Sequence, residues 1–122
     1  MDITPIVPAG RQLIKGYGDM GFTISGLRWE GSVLVFAERS LAWAPAALDE
    51  VTEASLAPVA EARPDLLLLG CGRSMAAIPK SLRAWLRAGG IKLEVMDTGA
   101  ACRTFNVLLA EDRSVAAALI AV

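Results

Sequence analysis

Apolar positions follow different rhythms in the two halves of the chain, and the change of rhythm sets the expected architecture. Up to Phe36 they come in short runs cut by glycine. Arg11 to Lys15 reads as a brief strand, and Gly16, Gly18 and Gly21 punctuate a turn around Tyr17. Phe22 to Ser25 alternates with period two, Gly26 and Gly31 bracket a segment holding Trp29, and Ser32 to Phe36 is nearly continuous in apolar character. Short runs between glycine turns predict antiparallel strands in a meander. The preceding residues 1–10, with Pro5, Pro8 and Gly10, suit an extended lead-in arm.

Pro45 breaks that pattern, and Leu48 to Ala62 turns helical, with Thr52 and Asp49 competing as caps. Pro58 makes this helix short or kinked. Leu66 to Leu69 is four leucines between Pro64-Asp65 and Gly70-Cys71-Gly72, the mark of a strand buried on both faces. Pro79 suits a first helical turn, after which Ile78, Leu82, Trp85 and Leu86 share one face and Lys80, Arg83 and Arg87 the other, until Gly89-Gly90. Lys92 to Met96 is again a strand. Asp97 and Thr98 are cap candidates for a helix from about Gly99 to Ala110, and Asp112 suits a left-handed turn. A last short helix is expected over Ser114 to Ala121, capped by Ser114.

The second half thus reads as strand, glycine loop, helix, strand, helix, helix, which contains a right-handed βαβ unit. Together the halves predict an α/β fold. It is a three-layer domain around a mixed, mostly parallel central sheet of about five strands, with a small antiparallel layer from the N-terminal half. The length fits one domain, residues 1–122.

In a βαβ unit the loops after both strands leave the same edge of the sheet, where open α/β sheets bind ligands. Here they are Gly70-Cys71-Gly72-Arg73-Ser74 and Asp97-Thr98-Gly99-Ala100. A helix opening at Thr98 aims its free N–H groups at that edge and favours an anion. Gly70, Cys71, Gly72, Arg73, Asp97, Thr98, Arg103 and Asn106 are therefore the candidate ligand-binding residues. Each has a plainer role beside it. Glycines after a buried strand commonly just turn the chain, and the spacing matches neither a dinucleotide nor a Walker phosphate motif. Asp97 and Thr98 serve as a cap, and Cys71 and Cys102 as buried thiols. Asn106, unfavourable in mid-helix, hydrogen-bonds across to a loop. Arg103 and Arg113 pair with Glu111 or Asp97.

Composition narrows the chemistry. With 54% apolar residues in 122, a sizeable core forms without disulfides or metals. The chain has no histidine, which removes histidine general bases, Ser-His and Cys-His pairs and histidine metal sites, so no catalytic residue, metal or cofactor is assigned. Twelve basic and 13 acidic side chains nearly cancel, leaving no overall footprint for nucleic acid. No apolar run approaches the roughly 18 residues of a spanning helix, and the start lacks a signal-peptide pattern. Two cysteines outside a C-x-x-C spacing suit free thiols in a reducing compartment, hence a cytoplasmic protein without an integral membrane segment.

Several stretches resemble a known family. They include Leu67-Leu68-Leu69-Gly70-Cys71-Gly72, Gly90-Ile91, Glu94-Val95-Met96-Asp97-Thr98, and Arg103-Thr104-Phe105-Asn106-Val107-Leu108. Glu111-Asp112-Arg113, the run Val115 to Ile120, Tyr17-Gly18, Phe22 and Ser32 to Val35 add to them. They are similar to a family of uncharacterised bacterial and archaeal proteins whose mitochondrial relative is assembly factor 3 of respiratory complex I. The resemblance implies a three-layer α/β domain and a non-enzymatic interaction module. Its partners would be proteins, namely respiratory-complex assembly proteins, which would also provide any contact with the inner membrane. The family often has threonine at position 71 and glycine at 112, so Cys71 is not an obligatory nucleophile. The competing reading, from the residues alone, is a small-molecule or anion-binding protein, or an enzyme acting on such a ligand, using the loops at 70–74 and 97–103.

Overall fold

The computed structural model describes residues 11–74 and 76–122, so the arm expected over residues 1–10 lies outside the described residues. The N-terminal meander forms as a three-stranded antiparallel sheet, β1 (Ile14–Gly18), β2 (Gly21–Ile24) and β3 (Leu27–Glu30). The first strand runs three residues later than the sequence suggests, so Tyr17 lies in a strand and not in a turn. The turn itself is Asp19-Met20, with φ of 52° and 59°. Two positive φ angles match the right-handed twist of a tight hairpin. Methionine accepts this conformation because the turn is held from outside. Arg28 Nη2 donates to the carbonyls of Gly18 (2.9 Å) and Asp19 (3.0 Å), and Met20 N donates to Val122 O at 2.8 Å.

The larger sheet has five strands in the order β5-β4-β8-β6-β7. These are β4 (Val33–Val35), β5 (Ser40–Ala42), β6 (Leu66–Gly70), β7 (Lys92–Met96) and β8 (Val115–Leu119). β6 pairs in parallel with both β7 and β8, whereas β4 is antiparallel to β8 and to β5. Only β4 runs against the others. β5 is not legible in the sequence, because it is a three-residue edge strand created by a hairpin closed by Phe36 N donating to Arg39 O. Arg39 stacks over the Phe36 ring at 4.9 Å, further pinning that hairpin.

The main correction concerns the C-terminus: Ser114 to Ala121 is not a helix but contains β8, in the middle of the sheet. Alanine has high helix propensity, yet here the chain alternates strictly between two cores. Val115, Ala117 and Leu119 belong to one, and Ala116, Ala118 and Ile120 to the other. A strand buried on both faces carries no polar period to distinguish it from a buried helix. Ser114 does not cap; its carbonyl accepts from Asp65 N and Leu66 N.

Helices cover both faces of this sheet. The stretch expected as one helix over Leu48 to Ala62 is broken into two 3₁₀ turns, Leu48–Glu50 and Ala54–Leu56, followed by α1 (Ala57–Ala62). Neither Thr52 nor Asp49 caps α1, which begins after Leu56; Thr52 instead ties the turn ahead of it, Ser55 N donating to Thr52 Oγ1 while Thr52 N donates to Ser55 Oγ. α2 (Lys80–Ala88) starts just after Pro79 and buries Leu82 and Leu86, with Trp85 half-buried beside them. α1 and α2 share the first core with Trp43, whose Nε1 donates to Ser55 O. On the other face, α3 (Thr98–Ala110) and the small sheet enclose the second core around Phe22, Leu68 and Phe105.

Cys102 lies in that second core, 2% exposed. Burial pushes its thiol up from 9.0 to about 12, the positive charge of Arg103 working in the opposite sense. The pH effect has a definite sign. Below about pH 9 the thiol is protonated whether folded or not. Between about 9 and 12 the unfolded chain loses the proton first, so stability falls as pH rises. Urea titrations across this window are expected to show a decline that is shallower in Cys102→Ala, by at most about 1.4 kcal/mol per pH unit.

Candidate functional site

β6 and β7 run side by side in the same direction, so the loops leaving them meet. What they form is a hydrogen-bonded seam. Cys71 N donates to Met96 O at 2.9 Å, and Thr98 N donates to Gly72 O at 2.8 Å. Gly72 N in turn donates to Thr98 Oγ1 at 3.0 Å. The same hydroxyl donates to Ile120 O at 2.8 Å, and Ile120 N donates to Gly70 O at 2.9 Å. One fully buried side chain thereby joins the carboxyl ends of β6, β7 and β8. A side chain on Gly70 would bring its Cβ to 3.0 Å from both Leu119 Cδ2 and Thr98 Cα, and Gly72 sits at φ 104°. The two glycines thus have separate reasons, close packing and a left-handed backbone.

At the start of α3, Asp97 Oδ1 accepts from Ala100 N at 2.9 Å, the N-cap expected from the sequence. With Thr98 N committed to Gly72 and Ala100 N to Asp97, two donors that an anion would use are already occupied. Cys71 is 8% exposed, its Sγ 3.3 Å from Ser74 O, whereas Arg73 is exposed. Thus Gly70, Cys71, Gly72, Asp97 and Thr98 come together, with Arg73 at the rim.

Arg103 and Asn106 lie further along α3 and face a different element. With Gly99 they form an i, i+4, i+7 stripe that carries β1. The Tyr17 phenol lies against Gly99, where a Cβ would collide with it, and Arg103 Nη1 donates to Tyr17 Oη at 3.1 Å. Arg103 therefore meets Tyr17 and not the Asp97 or Glu111 carboxylate anticipated for it. Among the described residues Arg113 likewise forms no ion pair, while Asp112, at φ 61°, holds Arg11 at 2.7 Å. Asn106 reaches across as expected, but to a strand: Oδ1 accepts from Ile14 N at 2.9 Å and Nδ2 donates to Ile14 O at 2.7 Å. Tyr17 joins this contact with no signal in the sequence beyond a tyrosine set among glycines.

A mixed five-stranded sheet, a small antiparallel sheet packed over α3 and a carboxyl edge closed by a buried threonine together define a three-layer α/β domain. Its family can be stated directly. The model of "Protein of unknown function (DUF498/DUF598)" matches residues 14–120, and the chain belongs to that family. An uncharacterised protein of Rhodobacter capsulatus is 41% identical over 92% of this chain and 86% of its own length. NADH dehydrogenase (ubiquinone) 1 alpha subcomplex assembly factor 3 of Bos taurus is 36% identical over 88% of this chain. The chain spans only 59% of that assembly factor. Among solved structures, a Bartonella henselae protein described as an outer membrane protein superimposes with a TM-score of 0.85 at 37% identity, covering 92% of this chain and 96% of that one.

The seam makes Thr98 the most sensitive polar position. Thr98→Val keeps the shape but strands Gly72 N and Ile120 O, and is expected to cost about 1–3 kcal/mol in chemical denaturation. Thr98→Ser keeps the hydroxyl and is expected to recover most of that loss.

Proposed function

We propose that this chain is a non-enzymatic interaction module that assists assembly of a membrane-bound respiratory complex of the NADH:ubiquinone oxidoreductase type. The observation that carries the reading is the similarity to curated assembly factors over 88% of the chain. The family match, residues 14–120, takes in both sheets and helices α1 to α3. The surface is in keeping with work through protein contacts. The large apolar side chains exposed among the described residues, Tyr17, Met20, Leu27 and Val107, all belong to the layer formed by the small sheet and α3. Exposed apolar groups gathered on one layer suit a docking surface. No helix among the described residues is long and apolar enough to cross a membrane; we place the chain in the cytoplasm, reaching any membrane through its partner.

A second reading, an anion or small-molecule site at the loops 70–74 and 97–103, draws on the meeting of those loops beneath the exposed Arg73. It has less support, because the seam already uses Thr98 N, Gly72 N and Ala100 N.

The tagged chain, expressed in its native host, is expected to co-purify with complex I subunits or a partner assembly protein, and its deletion to deplete assembled complex I. Recovery of the chain alone, with normal complex I in the deletion strain, would refute the reading. Met20→Asn places another residue tolerant of positive φ at the turn. It is expected to change stability by no more than about 0.5 kcal/mol while lowering the recovered subunits. For the second reading, a thermal-shift screen with phosphorylated and carboxylated metabolites decides. A ligand at a hundredfold excess over its Kd would add about 2.7 kcal/mol and a clear rise in Tm; we expect none.

A further inference from the structure

The near-neutral net charge conceals a separation of charge about α2. The side of α2 bearing Ser81, Trp85 and Ala88 turns toward α1 and the preceding 3₁₀ turns, where Asp49, Glu50 and Glu53 lie along with the cation Arg63. Its other side carries Lys80, Arg83 and Arg87 at i, i+3 and i+7, a single stripe on a helix without one acidic residue. That stripe borders β7, the outermost strand of the five-stranded sheet. Between them runs a cleft of about 490 Å³ lined by Arg83, Arg87, Lys92, Leu93 and Glu94 among others. Three cations here face one carboxylate, and Glu94 is itself drawn toward Lys92 at 3.5 Å. Lys80 and Arg87 form no ion pair among the described residues.

The backbone of β7 adds directional chemistry. Lys92 N donates to Asp65 O and Met96 O accepts from Cys71 N, so residues 92 and 96 turn their peptide groups toward β6. By the two-residue period of a strand, Glu94 does the same, and Leu93 and Val95 turn theirs outward along the open edge. One of these outward groups is taken: Arg83 Nη1 donates to Leu93 O at 3.1 Å. This anchors the guanidinium over the edge with its remaining N–H groups free for a carboxylate. The outward N–H groups of Leu93 and Val95 are left beside it.

From this we infer that the β7 edge and the basic stripe of α2 form a docking groove for an extended, acidic segment of a protein partner, which adds as a strand beside β7. Main-chain bonds to Leu93 and Val95 would give it register, and Arg83, Arg87 and Lys92 would select carboxylates. The inference deepens the reading of the chain as an interaction module by naming one surface and the chemistry of its partner, separate from the apolar layer over α3.

The test uses the full chain and a fluorescein-labelled peptide of alternating glutamate and valine, about eight residues long. A peptide with lysine in place of glutamate is the control. Anisotropy is expected to show salt-sensitive binding of the glutamate peptide only. Arg87→Glu combined with Lys92→Glu is expected to weaken it about tenfold or more while leaving thermal unfolding near that of the parent. In amide exchange the peptide is expected to protect Leu93 and Val95. Absence of binding, equal binding of the lysine peptide, an affinity indifferent to the double substitution, or protection confined to other strands would each overturn the groove. Native-host purification separates the two readings. If both parent and double variant recover equal amounts of complex I subunits, the groove fails while the assembly role stands. If neither recovers them and the peptide still binds as described, the assembly role fails while the groove stands.

Discussion

Everything in this fold depends on a single shared strand. The N-terminal half of the chain builds antiparallel hairpins and the C-terminal half builds parallel crossovers, and in the larger sheet they meet only where β8 pairs with β4 on one side and β6 on the other. A strand in that position must bury both faces. It must also be thin enough to let α3 on one side and the α1–α2 layer on the other approach the sheet. Three consecutive alanines flanked by Val115 and Leu119 meet that demand: the small side chains keep the layers close, and the larger ones at each end fill the cores. The Thr98 hydroxyl then fastens the end of this strand to the loop after β6, so the join is both packed and hydrogen-bonded.

How far this could be read from the sequence follows from where the deciding interactions are local. The four leucines of β6, the Lys92 to Met96 strand, the Asp97 cap and the Gly89-Gly90 stop are each specified by neighbouring residues, and each lies where the pattern puts it. The parallel pairing of β6 and β7 follows from element order and the handedness of crossovers. Two of the failures share one cause. Ala116 to Ala118 favour a helix in isolation, and β5 has no pattern of its own. Both become strands because partners distant in sequence supply their hydrogen bonds. Tyr17 lies in a strand where the pattern suggests a turn, for the related reason that glycines signal a turn nearby but not its register. At the edge loops the identities were legible, whereas their use in joining strands was not. That use rests on Ile120 arriving from a segment read as helical.

The two faces of the larger sheet are consequently specialised. One carries α3 and the small sheet, with its exposed aromatic and apolar side chains around a rigid, externally braced turn. The other carries α2, which separates acidic from basic ground. A chain without histidine and almost without net charge thus presents chemically distinct surfaces through placement alone, with no specialised residue type. For such a chain, the arrangement of ordinary side chains is the informative quantity.

Asn106 shows how the protein limits its own growth. A carboxamide offers one acceptor and two donors at the spacing of a peptide group, and here it occupies both outward-facing groups of Ile14 on β1. To the small sheet, the helix stands in for a missing neighbour at that rung. Another molecule's strand therefore finds this rung filled, and end-to-end polymerisation through β1 is obstructed at its first step. One residue, unfavourable in the middle of its own helix, converts a sticky border into an interior one.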